Sequence, residues 1–407
     1  MATRVEERDN VNGHPYVTVR MQKTQTIIIG GGIIGLSIAW ELVRRGQSVV
    51  VLERDHVGLH ASRAAAGMLA AVAELGFEEF DLYAFCADSV RRWPVFAREL
   101  EQDSGLPVDY RAHGTIVAAR DRDAAAGMRR AYEFQREHDF DVSWLTRDEA
   151  LDIEPFLSPN IAAAMFAKED HAVDNRAVLQ ALEAAIRARG GTVRENAPVR
   201  EVRFGSGPPE VWFGTRGKDG AEDKEEQLES MSAEQIVLAA GPWSRDIPGL
   251  PDVARPPVRP VKGQILELHM QAPFSLKHVV RGKRAYLVPR SDGRLIVGAT
   301  NEEMGFDLDV TAGGMWSILD GAWELVPGIM DLPVLGIDVG LRPASRDHQP
   351  MIGWSTTPGL FVATGHYRHG IMLSAATAHA AANALTGGTL PALLAPFDPT
   401  RFTHSAS

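Results

Sequence analysis

The sequence predicts an α/β protein (α+β when both of its sheets are counted), in which a Rossmann-like parallel sheet is combined with a discontinuous second domain built on an antiparallel sheet. Two observations predict the parallel sheet. An apolar β-branched run with a glycine-rich turn stands near the start of the chain, and a second strand, glycine turn and long helix stand near its end. The segments between them alternate polar and apolar residues, which is typical of half-buried antiparallel strands. At 407 residues, the chain is long enough for two cores.

Composition and charge exclude several classes of function. The net charge of −11 disfavours nucleic acid or an anionic membrane surface as the main partner. No apolar run reaches the ~18 residues of a membrane span. Residues 1–22 lack the apolar core of a signal peptide, so we expect a flexible extension there. The single cysteine, Cys86, excludes an intramolecular disulfide and a cysteine-based metal cage, which fits a cytoplasmic protein. The 13 histidines are scattered, so we predict no metal site.

The first element of the parallel sheet leads into a glycine fingerprint. The apolar run Thr26–Ile29 has the composition of a buried parallel strand, and Gly30-x-Gly32-x-x-Gly35 follows it directly. The first glycine permits a tight turn, and the second lets a pyrophosphate approach the backbone. The third lets helix and strand pack closely. A lone fingerprint of this kind is weak, so the elements that follow it decide its meaning.

The next helix and strand complete a dinucleotide-binding βαβ unit. The helix begins near Ile33 and directs the N–H groups of Ile33 and Ile34, with the positive end of its dipole, at the phosphates. The second strand, Ser48–Leu52, is closed by Glu53, whose carboxylate is placed to accept hydrogen bonds from an adenosine ribose. A 2′-phosphate would be repelled there, which disfavours NADP.

Further segments bring small residues and backbone up to this dinucleotide. The stretch Leu59–Leu69 is rich in Ala and Gly and permits close approach of the backbone to a large flat group. Farther on, one strand carries Val199 near its start and a buried strand ends in Ala240-Gly241. The cofactor-binding residues predicted in these segments are Arg54, Ala61, Ser62, Ala65, Ala66, Gly67, Met68, Leu69, Val199, Ala240, Gly241 and Trp243.

The C-terminal glycine turn favours FAD over NAD. Pro358–Gly388 is a strand, a glycine-rich turn and a long Ala-rich helix, with Gly387-Gly388 after its end. A second glycine turn that opens a helix indicates a cofactor held from two sides, as an extended FAD requires. The helix that begins near Gly370 would direct its positive end at the flavin ring and stabilise the anionic reduced form. The predicted flavin contacts are His366, Tyr367, Arg368, His369, Gly370, Ile371 and Met372.

Five motifs in the same order resemble those of the D-amino-acid oxidase-like FAD-dependent oxidoreductase family, and within it the glycine oxidase (ThiO-type) group. They are SRAAAGMLA (62–70), RPVKGQ (259–264), YLVPRSDGRLIVGAT (286–300), GLRPASRDHQPMIG (340–353) and ATGHYRHGIMLSAATA (363–378). The resemblance runs from about residue 24 to about residue 391. It implies non-covalently bound FAD, a small amino-acid substrate, O₂ as the second substrate and a homo-oligomer, either dimer or tetramer.

Four residues are predicted to bind the substrate. Arg342 follows the strand-like run VLGIDVG, and its guanidinium matches a carboxylate bidentately where lysine would not. In the family that the chain resembles, the matching arginine holds the substrate carboxylate. By the same resemblance, Tyr286 lines the site and Arg368 lies close to substrate and flavin. Asn301 stands where a methionine is expected, and Arg284-Ala285 where a His-Cys pair is expected, so the polarity and size of the pocket stay open.

The alternation of segments predicts discontinuous domains. The FAD-binding domain is expected at 23–107, 165–250 and 336–391, and the substrate domain at 108–164 and 251–335. A C-terminal tail is expected at 392–407. The polar, charged stretch Gly214–Gln235 is predicted to be a solvated hairpin loop.

The sequence thus predicts an FAD-dependent oxidase of glycine or a related small amino acid, such as sarcosine or a small D-amino acid. Hydride would pass from Cα to flavin N5 without a catalytic side chain, giving the imino and then the oxo acid, ammonia or amine, and H₂O₂. Thiazole synthesis for thiamine and amine catabolism are both open as roles. The alternatives are a flavin-dependent dehydrogenase of D-amino acids or proline that passes electrons to a quinone, a non-catalytic FAD-binding protein and an NAD-dependent dehydrogenase.

Overall fold

The computed structural model describes residues 5–9, 15–20, 23–74, 79–138, 140–215 and 227–402, with the backbone alone at 5–9, 15–20, 215 and 227. The strands are β1 (Val5–Asp9), β2 (Pro15–Arg20), β3 (Thr24–Ile29), β4 (Val49–Leu52), β5 (Met68–Leu69), β6 (Thr115–Ala119), β7 (Val142–Leu145), β8 (Ala163–Ala167), β9 (His171–Ala172), β10 (Thr192–Arg194), β11 (Val199–Arg203), β12 (Glu210–Thr215), β13 (Gln227–Leu238), β14 (Arg259–His269), β15 (Val279–Arg281), β16 (Tyr286–Pro289), β17 (Arg294–Gly298), β18 (Val334–Ala344), β19 (Met351–Trp354) and β20 (Leu360–Thr364). The α-helices are α1 (Ile33–Arg44), α2 (Phe80–Ser104), α3 (Arg122–Glu137), α4 (Arg147–Ile153), α5 (Asn175–Ala188), α6 (Ala312–Leu325) and α7 (Gly370–Leu385).

The first sheet has a Rossmann-like parallel centre. Strands β10, β4, β3, β13 and β20 run parallel in that order, and β19 adds an antiparallel edge. Ile27, Ile28 and Val51 are fully buried at this centre. Their burial on both faces explains why the strands read as unbroken apolar runs. The predicted α/β fold is confirmed.

Four helices cover one face of this sheet. Helix α1 packs against α7 and α5, and α2 packs against α7 and α5. Their apolar side chains form the largest core with β3 and β4. Strands β11, β12 and the first half of β13 form an antiparallel extension whose side chains share a core with the opposite face of β3 and β4. The nucleotide-binding turns therefore stand on a rigid, doubly covered scaffold.

The second sheet has eight strands in the order β18-β14-β17-β16-β15-β6-β8-β7. All neighbouring pairs are antiparallel except β15 and β6, which run parallel. This one pair departs from the predicted antiparallel sheet. Helix α6 places Ile318, Ala322 and Leu325 on a core that includes Leu266 of β14 and Val297 of β17. None of the described helices is long and apolar enough to cross a membrane.

Several predicted boundaries differ from the structure. Strands β8 and β18 belong to the second sheet, although the ranges 165–250 and 336–391 were predicted to be nucleotide-binding. The cause for β18 is its long antiparallel pairing with β14, which continues through Pro260↔Pro343. The predicted C-terminal tail includes Phe397, which is fully buried against Phe85 with ring centroids 5.4 Å apart.

Two polar stretches also differ from their predictions. The predicted flexible extension contains β1 and β2, and β2 pairs parallel to β13. The alternating stretch PYVTVR is typical of a strand, which the prediction of a flexible extension does not include. In the predicted loop Gly214–Gln235, β12 and β13 pair as far as Thr215↔Gln227, so much of it is strand. The hairpin connection itself, 216–226, lies outside the described residues.

Candidate active site

A cavity of about 650 Å³ is lined by residues of both sheets. One end of the cavity is defined here by the lining residues of the first sheet, Gly30, Gly32 and Glu53, which follow the carboxyl ends of β3 and β4. The other end is defined by Tyr286 and Arg342 of the second sheet. A crevice at the carboxyl ends of parallel strands is where α/β sheets bind dinucleotides.

The glycine fingerprint forms the turn that the sequence predicts. Gly30 has φ +112°, and a Cβ there would lie 2.4 Å from the carbonyl oxygen of Ala239. Gly32 is the N-cap residue of α1 and so has no capping side chain of its own, and the first turn of this fully described helix has no acidic residue. Gly35 does not line the cavity, because a Cβ there would lie 2.0 Å from the Gly30 carbonyl. Its role is to let α1 pack on the turn.

Glu53 is held rigidly at the edge of the cavity. Its Oε2 accepts a hydrogen bond of 2.7 Å from the Gly31 N–H, and its Oε1 accepts one of 3.0 Å from the Asp55 N–H. The residue is 8% exposed. Two backbone donors thus fix the carboxylate, which retains lone pairs for a ribose.

The small-residue segment after Glu53 lies along the cavity. Residues 58–62 and 64–68 line it, including all the predicted contacts there except Leu69, which is fully buried in the core. The Ser62 hydroxyl accepts a 3.0 Å hydrogen bond from the Ile33 N–H at the start of α1. Asn175 donates to the Ser62 carbonyl (2.8 Å), and Arg290 donates to the Ala66 carbonyl (2.7 Å). Side chains of α5 and of the turn after β16 therefore position this segment.

The predicted contacts on the far side of the glycine turn also line the cavity. Val199, Ala240, Gly241 and Trp243 are among its walls. The guanidinium of Arg54 lies 3.6 Å from the centroid of the Trp243 ring, a cation–π geometry. The ring of Phe306 also stacks on Trp243, with centroids 5.6 Å apart.

The turn before α7 supplies the second set of predicted contacts. His366, Tyr367, Arg368, Gly370 and Ile371 line the cavity, and no capping side chain or acidic residue occupies the first turn of α7 among its described residues. Burial lowers the pKa of His366 to about 3, so the ring is neutral.

Two predicted flavin contacts lie behind this wall instead. His369 is buried and faces Glu74. Met372 is buried too, and its carbonyl accepts hydrogen bonds from Ser89 (2.6 Å) and Trp93 (2.8 Å) of α2. Both residues fix α7 in place rather than line the cavity.

The sequence predicts Arg342 just beyond the end of a strand, whereas the structure places it within β18. Its Nη1 donates to the carbonyls of Thr300 (3.1 Å) and Lys262 (3.3 Å). The guanidinium lies across Gly263, where a Cβ would be 2.4 Å from both Nη atoms. No carboxylate among the described residues forms an ion pair with it. The neutral carbonyl partners leave its positive charge available to a ligand.

Tyr286 lies beside Arg342 and is fixed by a second glycine. A Cβ at Gly298 would be 2.4 Å from the tyrosine hydroxyl oxygen. Burial raises the pKa of Tyr286 to about 12, although the Arg342 charge opposes the shift. The hydroxyl is therefore protonated at neutral pH. Asn301 lines the same end, where its Oδ1 accepts a 3.0 Å hydrogen bond from the Tyr367 hydroxyl.

The charged lining residues Glu74 and Arg281 were not predicted. Glu74 and Arg281 both line the cavity, and Arg281 Nη1 lies 2.6 Å from Glu74 Oε1. Although burial opposes ionisation, Arg281 holds the pKa of Glu74 at about 2. One signal was available: Glu74 is the first charged residue after ten small or apolar residues, 64–73. Among the described residues, no cluster of three or more His, Cys, Asp or Glu side chains is suited to a metal ion.

The site fits a dinucleotide cofactor held from two sides. The N-termini of α1 and α7 both open on the cavity, so the positive ends of two helix dipoles favour an anionic ligand there. The free guanidinium of Arg342 lies at the end away from the glycine fingerprint. Fold and site together define a dinucleotide-dependent oxidoreductase.

Comparison with known proteins specifies the cofactor. The chain belongs to the FAD dependent oxidoreductase (DAO) family, whose profile matches residues 25–384. The predicted FAD and the predicted oxidoreductase class are confirmed. The roles of the individual site residues stay predictions.

Individual relatives cover nearly the whole chain. The chain is 33% identical to the glycine oxidase of Geobacillus kaustophilus (strain HTA426) over 92% of this chain and 96% of that protein. A crystal structure of glycine oxidase from Geobacillus kaustophilus superposes with a TM-score of 0.85, at 33% identity, over 94% of this chain and 99% of that one. The bifunctional protein ThiO/ThiG of Trichormus variabilis (strain ATCC 29413 / PCC 7937) is 33% identical over 94% of this chain. This chain spans only 55% of that relative's length.

Proposed function

We propose that this protein is an FAD-dependent oxidase of glycine or of a closely related small amino acid, such as sarcosine or a small D-amino acid. The observation that carries the proposal is the guanidinium of Arg342, which lines the cavity without a carboxylate partner among the described residues. A cation of this kind suits the carboxylate of an amino acid. The glycine oxidases among the relatives support the same substrate class.

The residues that would hold FAD are those around the two glycine turns. The fingerprint turn and α1 would bind the pyrophosphate, Glu53 the ribose, and the α7 turn the flavin. The bound cofactor would supply the acceptor for a hydride. The segment 61–68 presents little but small side chains and backbone to the cavity, which lets a flat ring system approach closely.

The substrate would be oriented from the second sheet. Arg342 would bind the carboxylate, and its own bonds to Thr300 and Lys262 would restrict the guanidinium to one plane. Tyr286, protonated at neutral pH, would donate a hydrogen bond to the same carboxylate. Two fixed donors define the direction of Cα and reduce the entropy lost on reaching the reactive geometry.

The products follow from this arrangement. Loss of hydride from Cα gives an imino acid, which water hydrolyses to the oxo acid and ammonia, or to an amine from an N-substituted substrate. O₂ would reoxidise the cofactor and give H₂O₂. The bifunctional ThiO/ThiG relative supports a role in thiazole synthesis for thiamine.

Two broader properties complete the proposal. The single, buried cysteine fits a reducing, cytoplasmic location. A homo-oligomer, dimer or tetramer, is the proposed assembly, and light scattering measures it directly. A monomeric mass would contradict the proposed assembly.

A substrate panel with two readouts tests the proposed reaction. The purified holoenzyme would be given glycine, sarcosine, D-alanine and D-proline, with peroxide measured in air and with an added artificial electron acceptor. We expect stoichiometric H₂O₂ from glycine or sarcosine. Turnover only with the added acceptor would indicate the quinone-linked dehydrogenase. Failure to oxidise any member of the panel would overturn the proposal.

A further inference from the structure

Glu74 is the carboxylate at the substrate end of the cavity. Three carboxylates among the described residues line the cavity, and two of them, Glu53 and Asp246, belong to the dinucleotide end with the turns that follow β4 and β13. Glu74 instead lies with Arg281 and Tyr286. Its side chain is 8% exposed. A buried carboxylate at this end requires an explanation, since burial of a charge is costly.

The surroundings hold Glu74 ionised and in one orientation. Oε1 pairs with Arg281 at 2.6 Å, and Oε2 lies 3.6 Å from His369 Nδ1, a buried atom without a hydrogen-bond partner among the described residues. Arg281 of β15 is paired with Tyr286 of β16, and the Tyr286 ring lies across Gly298 of β17. Arg342 in turn donates a 3.1 Å hydrogen bond to the carbonyl of Thr300, two residues after Gly298. A carboxylate and a free guanidinium thus share one end of the cavity.

This pair of opposite charges suits an amino acid in the course of oxidation. When a neutral amine loses hydride from Cα to the oxidised FAD, the nitrogen lone pair forms the C=N bond. The nitrogen then carries a positive charge that the neutral amine lacked. A fixed anion near this nitrogen therefore stabilises the transition state more than the ground state. Arg342, by contrast, binds a carboxylate whose charge does not change.

We infer that Glu74 contacts the substrate amino group and stabilises the positive charge that develops on its nitrogen, while Arg281 acts as a positioning residue for Glu74. This inference rests on the proposed function. It assigns the substrate amino group to Glu74, which follows β5, and the substrate carboxylate to Arg342 of β18.

The test compares two variants on two matched ligands. Glu74→Gln removes the charge, and the double variant Glu74→Gln/Arg281→Gln removes it without leaving Arg281 as an unpaired buried charge. Each FAD-loaded protein would be mixed anaerobically with glycine, and the rate of flavin reduction measured. Binding of glycolate, in which a hydroxyl replaces the amino group, would be titrated through the flavin spectrum.

Both variants are expected to reduce flavin about 10²-fold more slowly, the typical loss when one preorganised electrostatic partner is removed. Glycolate binding should change by less than about threefold, because its hydroxyl carries no charge. A rate of flavin reduction by glycine within about threefold of the parent in either variant would overturn the inference. A fold-loss of glycolate affinity as large as the fold-loss of this rate would overturn it too. If the parent itself is reduced by no small amino acid, the proposed function fails instead.

Discussion

Replacement of Gly263 by alanine is expected to weaken substrate use without releasing the cofactor. A Cβ at position 263 would lie 2.4 Å from both Nη atoms of Arg342, whereas ordinary van der Waals contact begins at 3.4 Å. The guanidinium would therefore have to move by about 1 Å. A misplacement of about 1 Å in a positioning group costs on the order of 10²-fold in rate, or about 2.7 kcal/mol of transition-state binding.

The assay is kcat/KM for glycine with peroxide detection, beside FAD content from the visible spectrum. Gly336→Ala is the matched control, because Gly336 lies in β18 of the same sheet and a Cβ there meets no atom within 4 Å. We expect the control to retain activity within about twofold, as substitutions in open space do. A Gly263→Ala protein with unchanged kcat/KM would refute the reasoning, and so would one that loses FAD.

Three further changes probe the same end of the site. Arg342→Ala should raise KM for glycine by about 10²-fold or more while FAD content is retained, because a charge-assisted bidentate contact is lost; loss of FAD instead would make the arginine structural. Tyr286→Phe should leave the alkaline limb of the pH–rate profile in place, since the pKa of Tyr286 is about 12 and the hydroxyl stays protonated in the assay range; a displaced limb would contradict this. The pKa of His366 is about 3 in the folded protein against an ordinary value of 6.5, so the stability that the neutral ring contributes is present above pH 6.5 and is lost as pH falls below it. Urea unfolding should show the parent losing about 2 kcal/mol more than His366→Asn between pH 7 and pH 5, and equal losses would refute the assignment.

Local patterns predicted the βαβ unit that carries the glycine fingerprint, whereas the binding roles of its residues stay predictions. The unit from Thr24 to Glu53 depends on contiguous apolar runs and fixed glycine spacing, so neighbours in sequence are neighbours in the site. The errors there concern which way a side chain points. Leu69 and Met372 adjoin cavity-lining residues, yet they face the core, because successive residues of a strand or helix point in different directions.

Long-range pairing was harder to predict. The run VLGIDVG predicts a strand that ends before Arg342, whereas pairing with β14 continues to Ala344. The Glu74–Arg281 pair joins residues more than 200 positions apart, and no local pattern relates them. The glycines at 263 and 298 were also overlooked. Their function depends on the Arg342 and Tyr286 side chains that cross them, which only the folded sheet reveals.

Anaerobic mixing of the FAD-loaded protein with glycine tests the central claim most directly. If the amino acid is oxidised at the flavin, the visible absorbance of the oxidised cofactor should disappear, and admission of air should restore it with one H₂O₂ formed per flavin. An absorbance that remains unchanged with glycine, sarcosine and D-alanine alike would contradict the account.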